Sequence, residues 1–377
     1  MTENKKKILY LLEYPLDLPG GAQMSTQSLC ASLMGSNYEP VVVCPHLLKP
    51  DSVFPYRVIT YPMGKNRILN LIKRIVSFEK TVKDEAPDIV HIQMPESLIT
   101  YGFCSVGRKK KRPALIFTDR GLFYGYRAHS MFLMKRALRR ADLLLVTTDY
   151  NKKMWEKGTD IRPIEKIANT ISSAFTSYDD SIRKQKDEKK NGLLTLGLAG
   201  RICEEKDWPF AVKLIERMAG EGLEFRVDMV LSTFEEKDAE MVEMIKSTLT
   251  KVLGDRLTIN MDFTQQQMQE YYYGVDIFLM TSVFESFGKA AVEAMSRKCA
   301  VLSTDVGGLS EVVGKEDNLY TKEDPSRAVE YVKKCITDRD FLKKEQEYFL
   351  NRYRDNFSIE TCLTEHLKVY DNILSGH

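Results

Sequence analysis

Residues 282–295 read SVFESFGKAAVEAM, and their two carboxylates are well placed to do chemistry. Glu285 falls at the end of a predicted strand, and Glu293 follows in a predicted helix. At about 1.5 Å per residue the pair stands roughly 10 Å apart. That exceeds the roughly 5 Å between the two carboxyl groups of a retaining glycosidase. It suits the reading of two parts of one extended ligand, such as a sugar and a ribose. The competing reading is structural: Glu285 or Ser286 caps the helix, and Glu293 lies on a solvated face. Capping leaves Phe287 and Gly288 without a purpose, whereas Gly288 and Lys289 at the helix start would present backbone N–H groups to a ligand.

Three other stretches hold candidate groups. In DLPGGAQMSTQSL (17–29), Gly20 and Gly21 follow the first predicted strand and open a helix that contains Gln23. Glycines there admit a ligand to the backbone, and a helix N-terminus favours an anion; a tight turn is the plain alternative. The pattern is neither GxGxxG nor GxxxxGK[ST], which argues against dinucleotide and P-loop sites. In LGLAGRICEEKDWPFAVKLI (196–215), Arg201 ends a strand and Lys206 precedes a helix capped by Asp207. Two cations so placed suit a diphosphate, Arg in bidentate fashion and Lys as a point charge. Alternatively both pair with Glu204 and Glu205 at the surface. In AVLSTDVGGLSEVV (300–313), Gly307 and Gly308 indicate a turn between Asp305 and Glu311.

The elements that must position these groups alternate along the chain. KILYLLEY, EPVVVCP, YRVITYP, DIVHIQ, ALIFTD, DLLLVTT and EKIAN are apolar runs separated by helical stretches. Such runs predict parallel strands covered on both faces. The polar stretch YDDSIRKQKDEKKNG (178–192) has no apolar face and reads as an exposed linker. The alternation then resumes with LLTLGLAG, FRVDMVLS, LTINMDF, DIFLMTS and CAVLSTD. Thr264 and Gln267 form a predicted capping box ahead of the helix containing three consecutive tyrosines. A last helical stretch, about 340–374, has no strand after it. The chain has 377 residues, enough for two α/β domains whose facing sheets make a cleft. With 43% hydrophobic and 29% charged residues it is globular, and a net charge of +2 provides no global attraction to nucleic acid. Seven scattered cysteines without a CxxC pair argue against a disulfide framework or a zinc site. MTENKKKILYLLEYP reads as a first strand rather than a signal peptide, and no apolar run is long enough to span a bilayer.

In this order the segments resemble the retaining glycosyltransferases of family 4, over nearly the whole chain. The resemblance rests on Gly20–Gly21, DIVHIQ, IANTISSAF, Gly200–Arg201 with Lys206, ESFGKAAVEAM in the pattern E-x7-E, and STDVGGLSEVV. It implies the α/β GT-B fold: two facing Rossmann-like domains with an interdomain cleft. The expected domains are 1–178 for the acceptor, a linker at 179–191, 192–357 for the donor, and a C-terminal helix at 358–377 crossing back to the first domain. By resemblance Glu285 holds donor-sugar hydroxyls and Glu293 the ribose. Arg201 and Lys206 hold the diphosphate, Gly21 approaches from the other domain, and Ser286, Phe287, Gly288 and Lys289 complete the donor site. Arg201, Lys206 and Glu285 are the expected catalytic groups. The implied reaction moves a hexose-type sugar from a nucleotide-diphosphate donor, UDP favoured, to a glycan or lipid-linked acceptor by front-side displacement. No metal or other cofactor is expected.

The chain departs from that family in several places. Where many relatives carry a histidine after the fifth strand, this one has Asp119 and Arg120. Gly20, Gln23, His91, Asp119 and Arg120 are therefore the candidates for acceptor or sugar contact, although His91 reads equally well as a hydrogen-bonded strand-end residue. His129 reads as a surface residue. Family glycines are replaced at Asp207, in KCAV (298–301) and in MDF (261–263). VGRKKKRP and MKRALRRAD, the latter adjoining Met131, Phe132, Leu133 and Met134, suit contact with an anionic membrane surface or a solvated face. The expected location is cytoplasmic or peripheral on the inner membrane face. A non-catalytic nucleotide-sugar-binding subunit and a UDP-sugar epimerase are the alternative functions.

Overall fold

Most of the apolar runs become parallel strands buried on both faces, as their lack of alternation requires, whereas YRVITYP, EKIAN and LTINMDF form sheet-edge strands that stay partly exposed. The computed structural model describes residues 5–18, 20–108, 112–175, 177–188 and 192–376. The chain divides into two units: residues to Thr170 with those from Ile359 onward, and Ile171–Ser358.

The first unit runs β1 (Lys6–Leu11), α1 (Gly21–Leu33), β2 (Tyr38–Pro45), β3 (Arg57–Tyr61), α2 (Arg67–Glu85), β4 (Ile89–Ile92), α3 (Pro95–Phe103), β5 (Ala114–Asp119), α4 (Ala128–Leu138), β6 (Leu143–Val146), α5 (Asp149–Gly158) and β7 (Ile164–Lys166). Its sheet order is β3-β2-β1-β4-β5-β6-β7, so the winding reverses between β1 and β4.

The second unit runs α6 (Asp180–Glu188), β8 (Leu194–Arg201), α7 (Trp208–Gly220), β9 (Phe225–Ser232), α8 (Asp238–Leu253), β10 (Leu257–Met261), α9 (Gln265–Tyr273), β11 (Ile277–Met280), α10 (Lys289–Ser296), β12 (Ala300–Thr304), α11 (Leu309–Val313), β13 (Leu319–Tyr320), α12 (Ser326–Thr337) and α13 (Arg339–Asn356). Its order, β10-β9-β8-β11-β12-β13, reverses between β8 and β11. The expected capping box is present: Thr264 accepts from the Gln267 N–H, and the Gln267 side chain accepts from the Thr264 N–H. A final helix, α14 (Ile359–Ser375), returns to the first unit. There Cys362, His366, Val369 and Tyr370 are buried.

The linker expected at 179–191 is corrected. Residues 180–188 are helix and belong to the second unit, while 189–191 lie outside the described residues. The face that α6 buries is carried by a cation, which a hydrophobic pattern does not register. Arg183 is 4% exposed; it donates to the Val275 carbonyl at 2.7 Å and pairs with Asp276 at 2.7 Å. The family glycine positions also find an explanation. Asp207, Asp262 and Lys298 adopt φ of 47°, 50° and 62°. Left-handed backbone favours glycine, and Asp is among the residues that tolerate it. The backbone shape is thus kept without the glycines.

Candidate active site

In open parallel sheets, ligands bind beyond the carboxyl ends of strands where the order reverses. In the second unit that point lies between β8 and β11, and the connections after these two strands carry the predicted groups. The β8 connection passes through a 3-10 turn ending at Lys206. It is stitched to the β11 connection by Val283 N–H donating to the Glu205 carbonyl (3.0 Å) and Thr281 Oγ1 to the Lys206 carbonyl (2.9 Å). The Lys206 ammonium then lies 2.9 Å from Glu285 Oε2, each side chain 21% exposed. The surface pairing expected with Glu204 or Glu205 is not the arrangement of Lys206. Arg201 ends β8 on the exposed side.

A third connection supports Glu285. Its carbonyl accepts from Gly308 N–H at 3.0 Å. Gly307 has φ 56°, and a Cβ there would fall 2.1 Å from that same carbonyl. The late Gly–Gly pair therefore buttresses the Glu285 loop, a link that spacing alone does not reveal. Gly288 has φ 89° and caps α10, and a Cβ on it would meet Leu309 Cδ2 at 2.4 Å. Phe287 is 3% exposed and packs edge-on against Phe357. Its ring is an anchor for the loop and not a wall of a ligand site, which corrects its place among the donor contacts. Ser286 and Lys289 are half-buried on either side.

Glu293 is buried, not on a solvated face, and accepts from Tyr272 Oη at 3.2 Å. Burial raises its pKa, opposed by Lys289, the Tyr272 hydrogen bond and Lys206. Lys206 is thus electrostatically linked to both glutamates. A cavity of about 810 Å³ adjoins Arg201 at the ends of β8 and β9, of a size suited to a small molecule. Its wall includes Glu204, Glu205, Glu235, Asp238 and Glu240. Those carboxylates suit hydroxyl groups, so phosphate is better received at the Arg201 rim.

In the first unit Gly20 precedes α1 and Gly21 opens it, exposed. Gln23 is buried, with its side chain folded back beside Gly20. Two candidates are corrected. His91 is fully buried, with its nitrogens 2.9 Å from Tyr370 Oη and 2.7 Å from Thr118 Oγ1. Asp119 is 1% exposed and is occupied by Trp155 Nε1, Tyr126 Oη and Gly121 N–H. Neither offers an atom to a sugar. Arg120, half-buried, hydrogen-bonds Gln93 and Asn169. Gln93, the last residue of DIVHIQ, is a site residue that the sequence reading does not single out.

The surface of this unit is apolar in one place that the spacing did not single out. Ile68, Leu69, Ile72 and Val76 of α2 are 72%, 54%, 51% and 59% exposed. Lys73 and Lys80 are exposed on the same face. On α4, Phe132 is 66% exposed, whereas Met134 is buried in the core. His129 is exposed, and Lys109, Lys110 and Lys111 lie outside the described residues. Among the described residues no helix is long and apolar enough to cross a membrane. Six cysteines are buried, Cys203 is half-buried, and none forms a disulfide among the described residues.

Comparison with known proteins agrees with this fold. Residues 19–175 match the family described as Glycosyltransferase Family 4, and residues 193–338 match Glycosyl transferases group 1. A 2-deoxystreptamine glucosyltransferase of Streptomyces kanamyceticus is 28% identical over 48% of this chain and 46% of its own length. Sulfoquinovosyl transferase SQD2 of Arabidopsis thaliana is 23% identical over 90% of this chain and 68% of its own. The chain spans less than half the length of the first curated relatives it matches (46%, 44% and 43%). Among solved structures, a sucrose-phosphate synthase of Thermosynechococcus elongatus superposes with a TM-score of 0.83 at 16% identity, over 99% of this chain and 100% of that one. Anabaena HepE in complex with UDP-glucose gives 0.77 at 15%, over 97% and 99%.

Proposed function

We propose that this chain, which belongs to the glycosyltransferases of the family 4 type and has the α/β GT-B fold, moves a hexose-type sugar from a nucleotide-diphosphate donor to a glycan or lipid-linked acceptor. The observation that carries the reading is the Lys206–Glu285 pair at the β8–β11 reversal, with Arg201 exposed at the end of β8. In this reading the two cations hold the diphosphate and stabilise the negative charge that develops as it leaves. Glu285 takes donor-sugar hydroxyls, and Glu293, held by Tyr272, takes the ribose. The acceptor hydroxyl attacks the face from which the diphosphate departs, a phosphate oxygen receives its proton, and the anomeric configuration is retained. Catalysis is then positioning plus charge stabilisation, with no metal required. UDP is favoured as the nucleotide because HepE, of similar fold, is described with UDP and UDP-glucose.

The acceptor side of the proposal is a cell-surface polysaccharide or glycolipid made at the cytoplasmic face of a membrane. The exposed apolar and basic face of α2 supports it. A non-catalytic nucleotide-sugar-binding subunit is the second reading, favoured by the sequestration of Asp119 where many relatives have a histidine.

The test is thermal stabilisation by UDP-, GDP- and ADP-sugars, with nucleotide release followed in the same wells. A ligand at 100 times its Kd adds about 2.7 kcal/mol to the folded state. Stabilisation by a UDP-sugar with slow release is expected. Stabilisation with no turnover on any acceptor favours the subunit, and no stabilisation by any donor refutes both.

A further inference from the structure

In the first unit the strand order reverses between β1 and β4. The side chains gathered at those carboxyl ends are rich in donors, and the two buried acids there are taken by other groups: Asp119 by Trp155, Tyr126 and Gly121, and Glu13 by Ser97 N–H. Gln93 directly follows β4, Arg120 follows β5, Asn169 lies beyond β7, and Ser25 and Thr26 sit on α1 after β1. Arg120 donates from Nε (3.2 Å) and Nη2 (2.8 Å) to Gln93 Oε1, and from Nη1 to Asn169 Oδ1. Thr26 Oγ1 donates to the same Gln93 oxygen at 2.9 Å, and Ser25 Oγ to the same Asn169 oxygen at 2.9 Å. Turning the Gln93 amide over would aim its NH2 at the guanidinium, so its orientation is determined. Its Nε2 is then buried without a partner among the described residues.

Charge is unbalanced in the same place. Among the described residues no carboxylate forms an ion pair with Arg120; its bonds end on amide oxygens. The nearby imidazoles do not supply negative charge. Burial depresses the pKa of both His91 and His366, and the positive charge of Arg120 depresses them further. A guanidinium partly withdrawn from water without a counter-ion is costly. Among the described residues three of its five N–H groups are engaged, which leaves two for a ligand.

We propose that Arg120 is the receptor for an anionic group, phosphate or carboxylate, carried by the acceptor. The proposal rests on the reading that the first unit receives the acceptor, and it narrows the acceptor class from any glycan or lipid-linked hydroxyl to one bearing such a group. The fork of N–H donors matches either anion, and the missing counter-charge arrives with the substrate. The group binds and orients; it takes no part in bond making.

The experiment is phenylglyoxal labelling of the wild-type chain, read residue by residue by mass spectrometry, with Arg120 and Arg201 followed in the same digest. Inorganic phosphate, acetate and UDP are compared with sodium chloride at equal ionic strength. Phosphate or acetate is expected to slow Arg120 labelling at least tenfold, and UDP is expected to protect Arg201. Protection of Arg120 by phosphate alone indicates a phosphorylated acceptor; protection by acetate alone, or by both alike, indicates a carboxylated one. Arg120 labelled at the chloride rate in every anion, or never labelled, overturns the proposal, while protection of Arg201 by UDP still upholds the donor reading. Arg120→Lys, which keeps the charge and loses the fork, is expected to bind the protecting anion about tenfold more weakly.

Discussion

Lys206 and Glu285 form a 2.9 Å ion pair that bridges the connections following β8 and β11, where the sheet order of the second unit reverses. The carboxylate holds the ammonium in place before any ligand arrives, so the cation is preorganised. A preorganised charge acts most where charge changes during the reaction. Lys206→Ala is therefore expected to lower kcat by about 10²–10³ while changing nucleotide affinity less than tenfold. Single-turnover rates beside calorimetric nucleotide binding check this. An equal loss in both would assign Lys206 to ground-state binding.

Glu293 is a buried carboxylate whose one described side-chain hydrogen bond, from Tyr272, leaves acceptor capacity unused. Hydroxyl groups of a ribose would use it. Glu293→Ala is expected to weaken nucleotide binding by about 1–3 kcal/mol, roughly five- to 150-fold. Tyr272→Phe, which removes only the internal hydrogen bond, should cost less. Unchanged affinity in Glu293→Ala would undo the ribose assignment.

The legible part of this fold was its hydrophobic periodicity. β1 to β12 fall largely where apolar runs predicted strands, and α9 begins at its capping box, while the two-residue β13 had no run to mark it. What escaped was carried by polar atoms. The α6 segment looked like a linker because its buried residue is Arg183, stabilised by Asp276 far along the chain. His91 and Asp119 looked like ligand groups because a sequence does not show Tyr370 or Trp155 arriving to occupy them. Asp207, Asp262 and Lys298 looked like losses of motif, yet each takes the positive φ that a glycine would take. The Lys206–Glu285 pair and the Gly307 buttress lay hidden because each joins segments whose meeting depends on strand order.

Helix α14 supplies Cys362, His366, Val369 and Tyr370 to the interior of the first unit, and Tyr370 bonds both Tyr10 and His91. Removing it exposes a core that fully buried side chains of this kind stabilise by about 1.5–3 kcal/mol each. Deleting residues from Ile359 onward is expected to abolish the calorimetric transition of the first unit. Unchanged melting and turnover after the deletion would show that α14 is dispensable.

Two buried groups make opposite contributions to the pH dependence of stability. Burial raises Glu13 from 4.5 to about 7, so the folded state holds its proton more tightly and stability is lost as pH rises across that window. Burial lowers His366 from 6.5 to about 4, so its contribution is lost as pH falls through its own window. Near pH 5–6 the two slopes offset each other. Glu13→Gln keeps an acceptor for Ser97 N–H and removes the first slope. It is expected to stabilise the chain by up to ~3 kcal/mol at pH 8 and by almost nothing at pH 4.5, leaving the acid limb steeper. Denaturant melts at the two pH values check this, and an effect independent of pH would contradict the assignment.

The α2 face shows Ile68, Leu69, Ile72 and Val76 to solvent beside Lys73 and Lys80. Apolar side chains gain little from exposure to water, and cations near an anionic bilayer contribute about 1 kcal/mol each. A surface that carries both is suited to insert shallowly among anionic headgroups. The chain is expected to sediment with phosphatidylglycerol vesicles, less so in high salt, and weakly with phosphatidylcholine alone. Substituting Ser at Ile68, Ile72 and Val76 together should lower vesicle affinity at least tenfold. Because the three side chains are exposed, melting temperature and nucleotide binding should stay unchanged, which separates lost membrane contact from lost fold. Equal sedimentation of the triple variant and wild type would remove α2 from the membrane contact and leave the α4 side, with exposed Phe132, as the remaining place to look.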